Sequence, residues 1–474
     1  MAASARKRRH RGQRLEDQVD IVEEGKVRRA VTAAGIGNMM EWFDFGVFSY
    51  LVVITGKVFF PAGNPTVQLL STFATFAVAF IVRPLGGFVF GPLGDRLGRK
   101  RVLAITMIMM ALGTVAIGFI PSYATIGIWA PILLLVARVV QGFSTGGEYG
   151  GATTFVSEYA PDKRRGFLAS WLEFGTLTGY ALGAAVVTIL LTALGEQEMV
   201  NWGWRIPFLL AGPLGVIGLY LRFRLEETPA QQQAESSGED AAGSGLGIYR
   251  TIFRDHWRPV LTCVSLVAVF NVANYMLTAY IPTYITADLH YAHTSALVFV
   301  LVTMLVIMGF VVRLGRISDK IGRLPIVATG AGALVVLSWP AFWMISRGAV
   351  WAVIGGLIVL GLMLICFSST MPSTLPALFP THVRYGGVSI SYNISVAVFG
   401  GTTPLLSEYL VSATGNTTAP AFVLIGAGLL GLIASWFARE TAGRPLPGAK
   451  PTAGSREEAR ETLEEQRGEV EGTT

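Results

Sequence analysis

Charge is scarce in this chain: Asp, Glu, Lys and Arg make up 14% of its 474 residues, against roughly a quarter in soluble domains. With hydrophobic residues at 52% and mean hydropathy at +0.53, too few polar side chains remain to cover a water-soluble globule. Cysteine is nearly missing. Cys263 and Cys366 each sit in an apolar segment with no His or Cys at ligand spacing, which argues against a disulfide framework or a metal site and leaves them as packing residues. No HExxH or P-loop pattern occurs, and no polar stretch is long enough to fold as a catalytic domain. An enzyme is therefore not expected, and neither is a cofactor. Residues 1–28 carry the run Arg6-Lys7-Arg8-Arg9 without the apolar core of a signal peptide, so they read as a basic tail. The net charge of +6 does not point to nucleic acid, because no fold or aromatic context supports it and most basic residues lie in short loops.

What the chain has is long apolar segments. A spanning helix needs about 20 residues, and lipid satisfies no bare backbone group, so such segments must be helical. Twelve are expected, at about 29–55, 67–91, 102–120, 126–150, 167–194, 204–222, 258–286, 295–313, 325–345, 350–375, 387–411 and 419–438. The class is all-α: a polytopic membrane protein of two six-helix bundles, 29–222 and 258–438. A Gln-, Ser-, Gly- and Glu-rich linker, 223–257, separates them, and a tail at 439–474 is expected to be mostly disordered. Ala459, Leu463, Gln466 and Val470 have heptad-like spacing, but the run is too short for a coiled coil. Basic residues cluster after the second, fourth and eighth segments, at Arg96, Arg99, Lys100, Arg101, Lys163, Arg164, Arg165, Arg313, Arg316, Lys320 and Arg323. The positive-inside rule then places both termini in the cytoplasm and the chain in the cell membrane.

One pattern occurs twice. Gly91-Pro92-Leu93-Gly94-Asp95-Arg96-Leu97-Gly98-Arg99 recurs as Gly315-Arg316-Ile317-Ser318-Asp319-Lys320-Ile321-Gly322-Arg323, and 319 − 95 gives a period of 224 residues, close to half the chain. Pro161-Asp162-Lys163-Arg164-Arg165 is echoed by Pro380-Thr381-His382-Val383-Arg384. A duplicated charged turn between membrane helices is expected of a carrier built from parallel repeats, and this loop resembles that of the major facilitator superfamily. Glycines fall every fourth residue at Gly142, Gly146, Gly150 and at Gly175, Gly179, Gly183. Such stripes serve either tight static packing or rocking of helices past one another.

Longer stretches narrow the resemblance. Asn38-Met39-Met40-Glu41-Trp42-Phe43-Asp44-Phe45-Gly46, Arg83-Pro84-Leu85-Gly86-Gly87, Gln141-Gly142-Phe143-Ser144-Thr145-Gly146-Gly147-Glu148-Tyr149, Trp202-Gly203-Trp204-Arg205-Ile206-Pro207-Phe208 and Leu375-Pro376-Ala377-Leu378-Phe379-Pro380-Thr381 resemble the metabolite:proton symporters. Within that branch they are most similar to the carriers of proline and glycine betaine. The resemblance spans about 28–450. It implies secondary active transport by alternating access, driven by the proton gradient with no cofactor, and a small zwitterionic solute. An organic acid such as α-ketoglutarate, citrate or shikimate is the alternative. It also implies a conformational gate at Gly91, Asp95, Arg96, Gly98, Arg99 and at Asp319, Lys320, Gly322, Arg323. The partners expected are the solute, protons and lipid, for a monomer.

Ionisable groups in spanning segments cost about 2.5–3.5 kcal/mol each on insertion scales, so each asks for a reason. They concentrate in the first half: Glu41, Asp44, Arg83, Arg138, Glu148 and Glu173. Asn38, Glu41 and Asp44, spaced i, i+3, i+6, share one helix face and are expected to look into a wet cavity. Glu41, Asp44, Arg138 and Glu148 are the candidates for proton coupling, with a structural ion pair as the competing role for the two acids on the first segment. Arg138 is expected to pair with Glu41 or Asp44 or to hold a carboxylate bidentately; Arg83 is placed nearer the cytoplasmic end. Asn38, Trp42, Phe43, Arg83, Arg138, Glu173, Tyr275 and Asn393 are the candidate substrate contacts, the aromatic ones because a quaternary ammonium is attracted to ring faces.

Overall fold

The computed structural model describes residues 18–61, 63–97, 99–223 and 245–471, without side-chain detail at 91–92, 94–101, 103, 218–223, 245–246, 248 and 466–471. A helix stands at each of the twelve expected positions. We label them α1 (Glu24–Tyr50, continued as Val52–Phe59), α2 (Pro65–Phe90), α3 (Ala104–Phe119), α4 (Trp129–Tyr159), α5 (Asp162–Gly203), α6 (Arg205–Phe223), α7 (Trp257–Ala287), α8 (His293–Ile321), α9 (Arg323–Ser346), α10 (Val350–Thr374), α11 (Thr381–Thr414) and α12 (Pro420–Phe437). Nine are long and apolar enough to cross a bilayer unaided, and the bent α1 makes a tenth. In α3 and α6 the apolar parts are shorter, at Ala104–Phe119 and Arg205–Ile217.

Helix breaks echo the sequence repeat. The chain bends by 63° at Leu51 in α1, and α7 passes through a π-helical turn at Met276–Tyr280. The two irregularities lie 276 − 51 = 225 residues apart, one repeat unit. Two more π turns lie at Met199–Gly203, at the end of α5, and at Val396–Gly400 within α11. Such turns widen the helix and re-aim side chains, and they gather at functional positions.

Within the first half, α5 lies along α1, and α4 along α2 and α3. The glycine stripes explain the closeness. A Cβ on Gly142 would fall on the carbonyl of Ala79, one on Gly146 on that of Arg83, one on Gly175 on that of Gly35 and one on Gly179 on that of Met39. These stripes therefore join helices of the same half in backbone contact. Gly146 and Gly150 also meet α11 of the other half, through Asn393 and Ser389. Contact between the halves runs along α5–α8, α2–α11, α4–α11 and α1–α7.

Both described ends lie on one face. Asp20–Ile21 pairs in parallel with Thr452–Ala453, and we call this the terminal face. The expectation that residues 439–474 are mostly disordered does not match their described part: the tail runs over the loops of both halves and ends in a helix, Arg456–Glu471. The reason is local burial and charge. Val19, Ala453 and Ala459 are all 0% exposed and cluster with Ile21 and Leu463, while Lys163 pairs with Glu465 at 2.9 Å. Residues 224–244 of the linker lie outside the described residues; after them, Gly245–Asp255 forms a helix.

Candidate functional site

Asn38, Glu41 and Asp44 lie near the middle of α1, all at most 6% exposed. Three residues turn an α-helix by 300°, so i, i+3, i+6 sweeps about 120° of its surface. The trio accordingly meets three neighbours. Asn38 donates to the carbonyl of Leu172 at 3.0 Å and to the Thr176 hydroxyl on α5. Glu41 faces Arg83 Nη2 of α2 at 3.9 Å. Asp44 accepts from Thr114 Oγ1 of α3 at 2.9 Å. All three side chains are buried against helices of the same half.

Arg138 does not pair directly with either acid. Its Nη1 donates to Gln141 Oε1, Gln141 Nε2 donates to Thr114 Oγ1 at 2.6 Å, and Thr114 donates to Asp44. A hydrogen-bonded relay on α3 and α4 thus links Arg138 to Asp44. The Arg138 guanidinium stacks over Phe48 at 4.1 Å. Arg83, placed nearer one end from sequence, lies instead in the same central layer, 4.6 Å over both Phe45 and Phe80. Within α2 the helix breaks at Val82 and restarts at Arg83, so Pro84 falls in a first turn, where proline lacks only an N–H that would be unbonded anyway. Nε and Nη2 of both arginines have no hydrogen-bond partner among the described residues, although each guanidinium presents five donors. Two buried cations with spare donors suit an incoming carboxylate.

Aromatic rings complete the layer. Tyr275 of α7 sits 6.1 Å from Trp42 and packs edge-on to Phe80 at 5.1 Å, with Gly400 of the α11 π turn against its ring. Trp42 Nε1 donates to Asn38 Oδ1 at 3.1 Å, which fixes the indole. Phe43 is buried in the same apolar cluster, with its backbone against Gly179 of α5. Glu173 accepts from the Tyr149 hydroxyl at 2.6 Å, and the Tyr149 ring stacks on Tyr392 at 4.1 Å. Glu148 accepts from Thr106 at 3.1 Å, away from Asp44. Asn393, expected to touch substrate, spends its Nδ2 on the carbonyls of Gly146 and Ser389. Through Gly146 it joins α4 to α11 across the halves.

The expected gate splits. Gly98 lies outside the described residues, and Gly91, Asp95, Arg96 and Arg99 are described without side-chain detail. In the second copy, Asp319 accepts the backbone N–H groups of Gly166 and Phe167, at 2.6 and 2.8 Å. The approach needs glycine on both sides: a Cβ on Gly166 would strike Asp319 and one on Gly315 would strike Ser170. Arg323 donates to the carbonyl of Ser373 at 2.8 Å and to Thr441 at 2.9 Å, and faces Asp319 at 4.0 Å. Lys320 is exposed.

Sequence reasoning missed three parts of this terminal-face network. Arg165 is 1% exposed, pairs with Asp162 and donates to the carbonyl of Arg444. Arg384 pairs with Glu158 at 2.8 Å across the halves and donates to Pro447. The Pro-x-x-x-Arg echo was the signal that marks both arginines. Glu440 had none: its carboxylate accepts the N–H groups of Arg323 and Leu324 across a chain separation of more than 110 residues.

A model of the Major Facilitator Superfamily matches residues 34–401. The chain is 47% identical to a proline/betaine transporter of Escherichia coli strain K12, over 96% of this chain and 91% of that one. It is 46% identical to a glycine betaine/proline/ectoine/pipecolic acid transporter of Dickeya dadantii, over 96% of this chain and 92% of that one. In three dimensions it superposes on the proton:xylose symporter XylE with a TM-score of 0.70 at 19% identity, covering 93% of this chain and 99% of the other.

Proposed function

We propose that this chain, which belongs to the Major Facilitator Superfamily, is a proton symporter that imports small zwitterionic osmolytes such as proline and glycine betaine. The observation that carries the reading is the closed central layer. Two arginines with unspent donors and an aromatic wall of Trp42, Phe80 and Tyr275 surround acids held in partner networks. A zwitterion needs both kinds of contact: donors for its carboxylate and ring faces for its ammonium. The likeness to transporters named for proline and betaine supports the same class of solute.

Alternating access follows from the contacts between halves. The ties of Asp319 to α5, of Arg384 to Glu158 and of Asn393 to Gly146 hold the terminal face shut. On the opposite face, His293 Nε2 bonds the carbonyl of Tyr50 at 2.7 Å. Opening either way breaks one set while keeping the other. Protonation of Glu41 or Asp44 would weaken the Arg83 contact or the Arg138–Gln141–Thr114 relay, and so couples proton occupancy to the cations that receive the solute. Arg138, and more remotely Glu148 and Glu173, modulate these acids. Asn38, Trp42, Arg83, Arg138 and Tyr275 line the solute position, and the first copy of the repeated loop gates together with the second. Residues 29–222 and 258–438 move as the two bodies. The chain works as a monomer in the cell membrane, needs no cofactor, and turns its terminal face to the cytoplasm, where the basic loops lie.

Purified protein in proteoliposomes, given labelled glycine betaine or α-ketoglutarate under an inward proton gradient, tests this. Betaine accumulation without nucleotide, abolished by a protonophore, is the expected result. Accumulation of α-ketoglutarate alone would replace the osmolyte with an organic acid, and accumulation of neither would remove the substrate assignment.

A further inference from the structure

The second half looked nearly free of buried acids in the sequence, yet α7 and α11 bring two carboxylates together at the opposite face. Glu408 of α11 is 4% exposed, and Asp288 follows the last residue of α7. Glu408 Oε2, Asp288 Oδ2 and the hydroxyl of the fully buried Tyr280 have no hydrogen-bond partner among the described residues. All three interact electrostatically with one another. Among the described residues, the other titratable groups acting on them are Tyr284 and His290.

The helices here are fixed by independent contacts. Tyr284 donates to the carbonyl of Thr417 at 2.8 Å, and Ser407 lies 3.9 Å from Met276 Sδ. The Tyr280 ring is 5.7 Å from that of Tyr284 and 6.4 Å from that of Phe73 on α2. Phe73 belongs to the other half, so parting of the halves on this face uncovers Tyr280 and the acids behind it. A desolvated carboxylate without a counter-charge is costly, and two together create a strong demand for a cation. Tyrosine faces favour a large, weakly hydrated one.

We infer that Tyr280, Asp288 and Glu408 form an outer subsite for a substituted ammonium group, occupied when the halves part on the opposite face and before the solute reaches the central layer. The inference rests on the zwitterionic reading of the solute. It separates the two recognition tasks, with the ammonium captured at the mouth and the carboxylate received by Arg83 and Arg138 below.

Tetramethylammonium chloride is the probe, since it carries the cationic group alone. The full chain and its E408Q, D288N and Y280F variants are purified, and thermal unfolding is followed against tetramethylammonium, with sodium and potassium chloride at matched ionic strength. The expected result is a saturable rise of the wild-type midpoint that neither alkali salt reproduces. Its half-saturation should weaken roughly tenfold in E408Q and D288N, with cooperative unfolding retained. Equal responses in wild type and both acid variants, no wild-type response, or a sodium response with the same residue dependence would each overturn the subsite. Because this experiment involves no transport, a wild type that binds tetramethylammonium but accumulates no betaine would sink the transport reading and leave the subsite standing.

Discussion

The carboxylate of Asp319, at the end of α8, caps the first turn of α5 by accepting the backbone N–H of Gly166 at 2.6 Å. An acid from one half thus occupies the positive end of a helix in the other, where free N–H groups and the helix dipole favour negative charge. The closed terminal face depends on this contact as much as on side-chain ion pairs.

Replacing Asp319 by Asn removes the charge while keeping the shape, at a cost of about 1–2 kcal/mol. The terminal face should then open more often. A cysteine placed at Ser157, fully buried and bonded to the carbonyl of Pro372, in a chain with Cys263 and Cys366 replaced, reports this opening. D319N should raise its alkylation rate roughly tenfold; an unchanged rate would mean that other contacts hold the face.

Gly322 joins α8 to α9 at φ +99°, and a Cβ there would meet the Glu440 carboxylate. Gly322→Ala should therefore lower stability by about 1–3 kcal/mol, read as a fall in the thermal midpoint. Gly332, within α9 and with open space around its Cβ position, is the control: its alanine variant should unfold no earlier than wild type.

The tail should release in acid. Burial pushes the Glu440 carboxyl upward, but the N–H groups of Arg323, Ala442, Leu324 and Thr441 outweigh it and hold the group below its ordinary value of 4.5. A carboxyl depressed in the docked state stabilises docking above its ordinary value and loses that contribution as pH falls through the depressed one. Protease sensitivity of residues 443–450 should rise below about pH 4.5 in wild type. E440Q should be sensitive already at neutral pH.

For the central acids, Asp44→Asn and Glu41→Gln separate coupling from binding. The expected outcome for the coupling acid is retained solute exchange across the membrane with loss of accumulation driven by the gradient. Concentrative uptake at wild-type levels in both single variants and in the double variant would remove these acids from the mechanism.

The helices were legible because lipid leaves the backbone one solution, so a run of apolar residues fixes both element and length. Spacing also led to Asp319 and Arg323, since the loop occurs twice. Partners were harder to read. Periodicity put Asn38, Glu41 and Asp44 on one face, but which of α2, α3 and α5 meets each residue depends on packing across more than 130 positions in the case of Asn38 and Leu172. Glu408 and Asp288 lie 120 positions apart and join only because α7 and α11 pack side by side. The tail carried no long apolar run, and its order comes from a small cluster, Val19, Ala453 and Ala459, below any pattern a composition argument detects.

The most direct test of proton–solute coupling uses no imposed gradient. Vesicles holding the purified protein and a trapped pH-sensitive dye receive external glycine betaine at equal pH on both sides. Symport predicts that the lumen acidifies on betaine addition, with the same dependence on betaine concentration as its uptake. Betaine entry with no change in luminal pH would contradict it.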